Sequence, residues 1–178
     1  MADDRVAARW SGTPVRRVED PRLLTGTSRF VDDLAPPDLV HAAFARSPFA
    51  AARIGSVDAS GARALPGVVE VLAASDLDLP GLRPILERPD FVATEMPLLA
   101  REVVRFAGEP LAMVLAGSRY AAEDGAEAVE VEYGVGDGVS SIDEATAEGA
   151  AVVHGSATGN LLLDAAMVDD PGLDAVLA

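Results

Sequence analysis

The sequence predicts an α+β fold, with short helices packed on a mixed sheet and an extended arm at the N-terminus. Apolar side chains alternate with other residues in 39–45 and again in 129–133, which is the period-two pattern of strands with one better-buried face. Short helices are predicted to begin at Ser118 and Ser141, because serine is a favoured helix-capping residue. These helices follow or separate the strands. Strands and short helices in this irregular order favour α+β over regular alternation.

The arm comprises residues 1–26. Hydrophobic periodicity is weak between Trp10 and Leu24, and Pro14 and Pro21 prevent one continuous helix through this segment. Because the segment has no apolar face of its own to bury, we expect it to lie against another surface. An ordinary flexible terminus is the alternative interpretation.

The body comprises residues 27–158, and its first segment is 29–32. In its first half the pattern predicts three strands and one helix: strand 39–45, strand 53–57, a helix from Asp58 or Ser60 to Leu65, and strand 68–73. Ser47-Pro48 separates the first two strands, since proline lacks the backbone donor that a ladder requires. Pro66-Gly67 ends the helix.

A proline-rich loop, residues 77–97, interrupts the body. Its prolines recur too densely for a long helix or a central strand, and loops of this length are usually functional or disordered. The second half then predicts three strands and two helices: strands 103–107 and 111–116 joined tightly by Gly108-Glu109-Pro110, helix 118–128, strand 129–133, and a helix from Ser141 that Gly149 ends.

Composition excludes several classes of function. The chain of 178 residues has a net charge of −15 and no Lys, so it would repel nucleic acid and anionic membranes. It has no Cys, which excludes disulfides, thiolate nucleophiles and iron–sulfur ligation within the chain. No apolar run approaches the roughly 20 residues of a membrane span, and the acidic N-terminus is unlike a signal peptide. We therefore predict a cytoplasmic protein.

No motif for independent catalysis or nucleotide binding is present. A P-loop needs the absent Lys, and the glycines at 134, 136 and 138 favour a flexible turn over a phosphate cradle. His41 and His154 are the only possible imidazole bases, and neither a nucleophile elbow nor a HExxH spacing accompanies them. We expect His41 to be structural.

One acidic cluster is a candidate for a hard cation. Glu123, Asp124 and Glu127 share a predicted helix, although a solvated helical face is the favoured interpretation. The sequence therefore assigns no catalytic, cofactor-binding or metal-binding residue within this chain.

Several motifs occur in an order that resembles a known family. They are Gly12, Pro14, Arg17, Glu19, Asp20, Leu23 and Gly26 in the arm; 24–33 as an opening strand; Arg46-Ser47-Pro48, Ala52-Arg53-Ile54, Asp58 and Pro66-Gly67-Val68; 104–112 around Gly108-Glu109-Pro110; and 128–133. Together they resemble the N-terminal α/β-hammerhead domain of the molybdenum-cofactor large subunit in the xanthine dehydrogenase, aldehyde oxidase and aerobic carbon monoxide dehydrogenase family.

The resemblance implies a structural and partner-docking part of a bacterial molybdenum hydroxylase-type oxidoreductase, inactive alone. Molybdopterin would lie on a partner or on a domain beyond residue 178, with iron–sulfur and flavin subunits in the complex. Residues 159–178, from Gly159-Asn160 onwards, resemble a truncated linker toward that domain. The arm from Trp10 to Leu24 and the proline-rich loop are the segments expected to meet a partner.

The sequence departs from the family pattern at two places, and it leaves two other functions possible. Ala51 stands where the family often has His, and residues 134–138 replace a turn that usually contains Leu-Pro, so we expect that turn to be looser. A free-standing adaptor or ligand-binding module that retains the fold is the main alternative, and an independent hydrolase is another.

Overall fold

The computed structural model describes residues 14–86 and 88–165. Its contacts divide the chain into two compact units, Met1–Leu39 and Val40–Ala178. Antiparallel strands and short helices make up the second unit, so the predicted α+β class is confirmed. The expectations for Trp10 and Gly12, and those for the chain after residue 165, fall outside the described residues.

Among its described residues, the first unit contains helix α1 (Asp20–Leu24) and a 3-10 turn (Val31–Asp33). Pro21 lies in the first turn of α1, where a missing N–H removes no helical hydrogen bond. The opening strand expected at 24–33 does not form. Instead, the Phe30 N–H donates to a carboxylate oxygen of Asp33 at 2.9 Å, and the Asp33 N–H donates to the Phe30 carbonyl at 3.1 Å, so local bonds close a turn.

The second unit holds six strands and three more α-helices among its described residues. In chain order these are β1 (His41–Arg46), β2 (Ala52–Asp58), α2 (Ser60–Arg63), β3 (Val68–Ala73), β4 (Val103–Val104), β5 (Pro110–Ala116), α3 (Arg119–Glu127), β6 (Glu130–Val135) and α4 (Ile142–Thr146). A further 3-10 turn, Ala74–Asp76, follows β3. The prediction for 68–73 matches β3, and most of the other predicted strands are found within two residues of their expected bounds.

The strands form two three-stranded sheets, in the orders β1-β5-β3 and β4-β2-β6. Every pairing among these strands is antiparallel, whereas the sequence predicted one mixed sheet. The chain changes sheet at Ser47-Pro48, where the proline provides no backbone donor to extend the ladder of β1. The strand that follows, β2, therefore belongs to the other sheet.

β4 and β5 do not pair with each other, although the sequence predicted two strands joined tightly. The Arg105 N–H donates to a side-chain oxygen of Glu109 at 2.5 Å, so it is not available to a strand and β4 stops at Val104. Gly108 has φ 91, a left-handed conformation that suits glycine, and it turns the chain toward the other sheet.

Two groups of buried residues form the core. The first lies between the β1-β5-β3 sheet and the helices α2 and α3, and comprises Ala45, Ala59, Ala62, Val71, Ala112 and Val114. The second includes residues of β2, β4 and β5, and comprises Ala52, Ala100, Val104 and Leu111. β5 contributes to both groups, which explains its almost uninterrupted apolar sequence.

The helix caps largely follow the sequence. The Ser118 hydroxyl accepts from the Ala121 N–H at 3.2 Å at the start of α3, as predicted. The Ser141 hydroxyl likewise accepts from the Glu144 N–H at 3.1 Å. The Glu144 carboxylate accepts from the Ser140 N–H and the Ser140 hydroxyl, at 2.9 and 2.8 Å, and these hydrogen bonds lower the pKa of Glu144. α4 ends at Thr146, earlier than Gly149.

Gly125→Ala should destabilise the protein although alanine favours helices. A Cβ at this position in α3 would lie 2.7 Å from Cγ1 of the buried Val114 and 3.2 Å from Cγ2 of Val68. Overpacking costs about 1–3 kcal/mol and the helix propensity of alanine returns about 1 kcal/mol, so we expect a net loss of about 1 kcal/mol in urea unfolding. Gly155→Ala is the control, since its Cβ would meet no atom within 4 Å. Equal stabilities for the two variants would contradict this packing.

Candidate docking surface

Two of the connections between the two sheets, from β1 to β2 and from β4 to β5, meet at one place, where β1 ends and β5 begins. The Ser47 N–H donates to the Glu109 carbonyl at 3.0 Å, and the Gly108 N–H donates to the Ser47 carbonyl at 2.7 Å. The Arg46 guanidinium adds a hydrogen bond to the Gly108 carbonyl at 2.9 Å. We call Ser47, Arg105, Gly108 and Glu109 the crossover junction. It brings together the Arg46-Ser47-Pro48 and Gly108-Glu109-Pro110 motifs.

The carboxylate of Glu109 is the buried charge of the crossover junction. Glu109 is only 2% exposed, and its carboxylate accepts from the Arg105 N–H at 2.5 Å and from the Arg105 guanidinium at 2.8 Å. A buried carboxylate is tolerated when it is both paired and hydrogen-bonded, as it is here. The sequence singled out Glu109 only as part of a motif. The arginine four residues before it was the available signal for an ion pair.

An aromatic pair flanks the crossover junction. The rings of Phe49 and Tyr133 meet edge to face with centroids 5.0 Å apart, and the Ser47 hydroxyl accepts from the Phe49 N–H at 3.0 Å. Burial raises the pKa of the Tyr133 phenol, and a hydrogen bond with Ser47 offsets part of that rise. The neutral phenol is therefore favoured in the folded protein.

The proline-rich loop is fastened to the body at its base. The Arg101 guanidinium donates to the carbonyls of Ala74 and Leu77, at 2.9 and 3.0 Å. Leu82 and Met96 exchange two backbone hydrogen bonds, of 2.7 and 2.9 Å, across the loop. These contacts give the base of the loop a defined conformation without a helix or a long strand.

Further contacts order the rest of the described loop. The Gly81 N–H donates to the Glu95 carboxylate at 2.9 Å, and a Cβ on Gly81 would lie 2.6 Å from Cγ of Glu95, so glycine is required for this approach. The Val92 N–H donates to the Leu162 carbonyl at 2.9 Å. The loop is therefore held from both sides.

The fastened loop nevertheless presents apolar side chains to solvent. Ile85 is fully exposed, and five other large apolar residues of the loop are exposed as well: Leu79, Leu82, Leu86, Val92 and Met96. Beside them, Arg88 and Asp90 form a two-pronged ion pair with distances of 2.8 and 2.6 Å, and the hydrogen bonds from Arg88 lower the pKa of Asp90. A cluster of exposed apolar side chains on an ordered loop is typical of an interaction surface.

A cleft separates the loop from the crossover junction. It has a volume of about 440 Å³, and its lining includes Leu82, Pro84, Met96, Pro97, Phe106, Arg105, Glu109 and His154. His154 therefore lies near the Arg105–Glu109 pair, which the sequence did not predict. We name the exposed loop residues together with this cleft the docking surface.

The other sequence candidates do not converge on a site. His41 begins the edge strand β1, opposite Ala116, whereas His154 lies in coil after α4. Glu123, Asp124 and Glu127 are exposed on α3. Within the described part of the chain, no three His, Asp or Glu side chains come together as a metal site.

The glycine-rich turn packs closely against the segment that contains Ala51. The Gly136 N–H donates to the Ala51 carbonyl at 3.0 Å. A Cβ on Gly138 would lie 2.8 Å from the Cβ of Ala50. Close approach therefore explains glycine at 138, in addition to the backbone freedom expected from the sequence.

Among residues 14–86 and 88–165, no helix has the length and apolar character needed to cross a bilayer.

Comparison with known sequences gives one family. The profile described as aldehyde oxidase and xanthine dehydrogenase, a/b hammerhead domain, matches residues 25–137. The nicotine 6-hydroxylase large subunit of Paenarthrobacter nicotinovorans is 42% identical over 123 residues, which are 68% of this chain and 15% of that protein. The carbon monoxide dehydrogenase large chain of Afipia carboxidovorans is 42% identical over 122 residues, again 68% and 15%.

A solved structure shares the architecture. Quinoline 2-oxidoreductase from Pseudomonas putida 86 superposes with a TM-score of 0.78 and 44% identity, over 83% of this chain and 19% of that one. The chain thus spans less than a fifth of the length of these relatives.

Glu109→Ala should destabilise the protein strongly, because it leaves the largely buried Arg105 guanidinium without its carboxylate. Removing one partner of a buried ion pair costs about 3–5 kcal/mol, and we expect a loss of about 3 kcal/mol in urea unfolding. Glu148→Ala removes an exposed glutamate and should change stability by less than about 0.5 kcal/mol. Similar losses in both variants would contradict the role of the buried pair.

Tyr133 should titrate above the ordinary phenol pKa of about 10. Because its folded pKa is raised, the burial contributes stability below the unfolded pKa, and this contribution is lost as the pH rises through the folded pKa. The chain has two tyrosines, so Tyr120→Phe leaves Tyr133 as the only phenol for an absorbance titration. The urea-denatured variant is the control. Equal midpoints in the folded and denatured states would contradict the burial.

Proposed function

Because the chain belongs to the aldehyde oxidase and xanthine dehydrogenase family through its a/b hammerhead domain, we propose that it is a non-catalytic, partner-docking part of a molybdenum hydroxylase-type oxidoreductase. The named relatives are large subunits of a nicotine 6-hydroxylase and of a carbon monoxide dehydrogenase. The whole assembly would accordingly oxidise a small carbon compound, with electrons passing to iron–sulfur and flavin subunits. We place it in the bacterial cytoplasm.

The observation that carries this proposal is the combination of order and exposure in the proline-rich loop. Arg101 and the Leu82–Met96 bridge fix the base of the loop, yet Ile85 remains fully exposed. A loop that is ordered before binding loses little conformational entropy when a partner covers it. The docking surface therefore suits a permanent interface better than a mobile lid.

The cofactor belongs to the partner in this proposal. Molybdopterin needs many polar contacts from its protein, but within the described residues no buried side-chain nitrogen or oxygen lacks a hydrogen-bond partner. The Arg105–Glu109 pair beside the cleft is already satisfied internally. We therefore assign molybdopterin to a partner subunit or another domain.

Ile85→Asp should weaken docking without unfolding the chain. A charge placed in an apolar contact removes its burial energy, and we expect the dissociation constant for the molybdopterin-binding subunit or domain to rise about tenfold or more. Tyr120→Asp is the matched control, because Tyr120 is 79% exposed on α3 and does not line the cleft. Calorimetry with the purified binding subunit or domain measures both variants.

Hydrogen exchange of the same complex provides a second test. Residues 77–97 and the arm up to Leu24 should gain protection when the partner binds. Unchanged exchange in both segments, or equal weakening by Ile85→Asp and Tyr120→Asp, would contradict this docking surface.

A further inference from the structure

β3 lies at the edge of its sheet, which has the order β1-β5-β3. An edge strand presents a row of backbone N–H and C=O groups with which another strand can pair. Val71 is opposite Val114 of β5, and Ala73 is opposite Ala112. In an antiparallel pair, alternate residues of an edge strand point their backbone N–H and C=O groups away from the neighbouring strand. The Val71 N–H, the Val71 carbonyl and the Ala73 N–H are hydrogen-bonded to side chains, so these groups point away from β5.

Three side chains occupy these outward backbone groups. The Val71 N–H donates to the Glu70 carboxylate at 2.9 Å, and the Ala73 N–H donates to the Asp76 carboxylate at 2.8 Å. The Arg63 guanidinium donates to the Val71 carbonyl at 2.9 Å and lies 3.6 Å from the Asp76 carboxylate. We call Arg63, Glu70 and Asp76 the edge clasp.

The strand behind the edge clasp has a sequence prone to pairing. Residues 68–73 contain three valines and one leucine, with Glu70 as the sole charge and no proline. Short segments of high β-propensity and low charge are the ones that pair with copies of themselves. Val69 is 63% exposed, so apolar surface already reaches solvent at this edge.

We propose that the edge clasp prevents β3 from pairing with β3 of a second copy of this chain. An antiparallel β3–β3 pair would be two-fold symmetric, so one edge supplies both halves of the interface. A second copy of the chain is the partner that is always available, because it is present at the same concentration as the chain itself. This inference is independent of the proposed docking function, since β3 and the proline-rich loop are different segments.

The energetics indicate a role in association more than in stability. The Arg63 and Asp76 side chains are 49% and 39% exposed, and exposed ion pairs contribute little to folding. Their hydrogen bonds nevertheless fill positions that a second strand would need. Removal of the edge clasp should therefore change self-association much more than it changes unfolding.

The test compares two double variants of the full chain. Glu70→Ala with Asp76→Ala opens the Val71 and Ala73 N–H groups, whereas Glu70→Gln with Asp76→Asn removes the same two charges but keeps a side-chain oxygen acceptor at each position. Sedimentation equilibrium should show self-association at least about tenfold tighter in the alanine variant than in the natural chain. The amide variant should behave like the natural chain.

Val69→Lys in the alanine background should restore the monomer, because a charge on the edge opposes strand pairing. This rescue distinguishes β3 pairing from association through the exposed loop. A folded alanine variant that stays monomeric, equal association of the alanine and amide variants, or no rescue by Val69→Lys would overturn the proposal. If the alanine pair fails to fold by circular dichroism, Glu70→Ala alone is measured against Glu70→Gln by the same criteria.

Discussion

Glu109 places a carboxylate in the interior at the point where two of the connections between the sheets, from β1 to β2 and from β4 to β5, meet. The charge is tolerated because the backbone N–H and the guanidinium of Arg105 both donate to it. This arrangement stops β4 after Val104 and turns the chain into β5, while the Glu109 carbonyl holds Ser47 after β1. One buried ion pair therefore lies where β4 ends and β5 begins, and it also lines the cleft beside the proline-rich loop.

Much of the secondary structure was predictable because it depends on neighbouring residues. β3 follows from an apolar run bounded by Pro66-Gly67, and α3 begins where the Ser118 hydroxyl caps it. The division into two antiparallel sheets was not predictable, since it depends on hydrogen bonds between Ser47 and residues 108–109, far apart in the sequence. The turn at 31–33 was missed because the Asp33 carboxylate competes with strand formation.

The prolines of the proline-rich loop also predicted where the candidate site begins and ends. They did not predict that the loop has a defined conformation. The sequence predicted an irregular segment at 77–97 that meets a partner, and an irregular, exposed segment is found there, with partner contact still a prediction. The contacts that fix it come from Arg101 and from Leu162, which no local pattern connects to the loop. The edge clasp is similar: each hydrogen bond is local, but only the sheet order makes β3 an edge.

An ordered domain with an exposed apolar loop, spanning a small part of its relatives, suits a component of a larger redox assembly. Gentle purification from the cells that make the protein, followed by elemental analysis and identification of co-eluting chains, tests this most directly. The account predicts stoichiometric molybdenum together with the molybdopterin-binding portion of a hydroxylase. A metal-free protein without such a partner would contradict it and favour a free-standing adaptor that retains the fold.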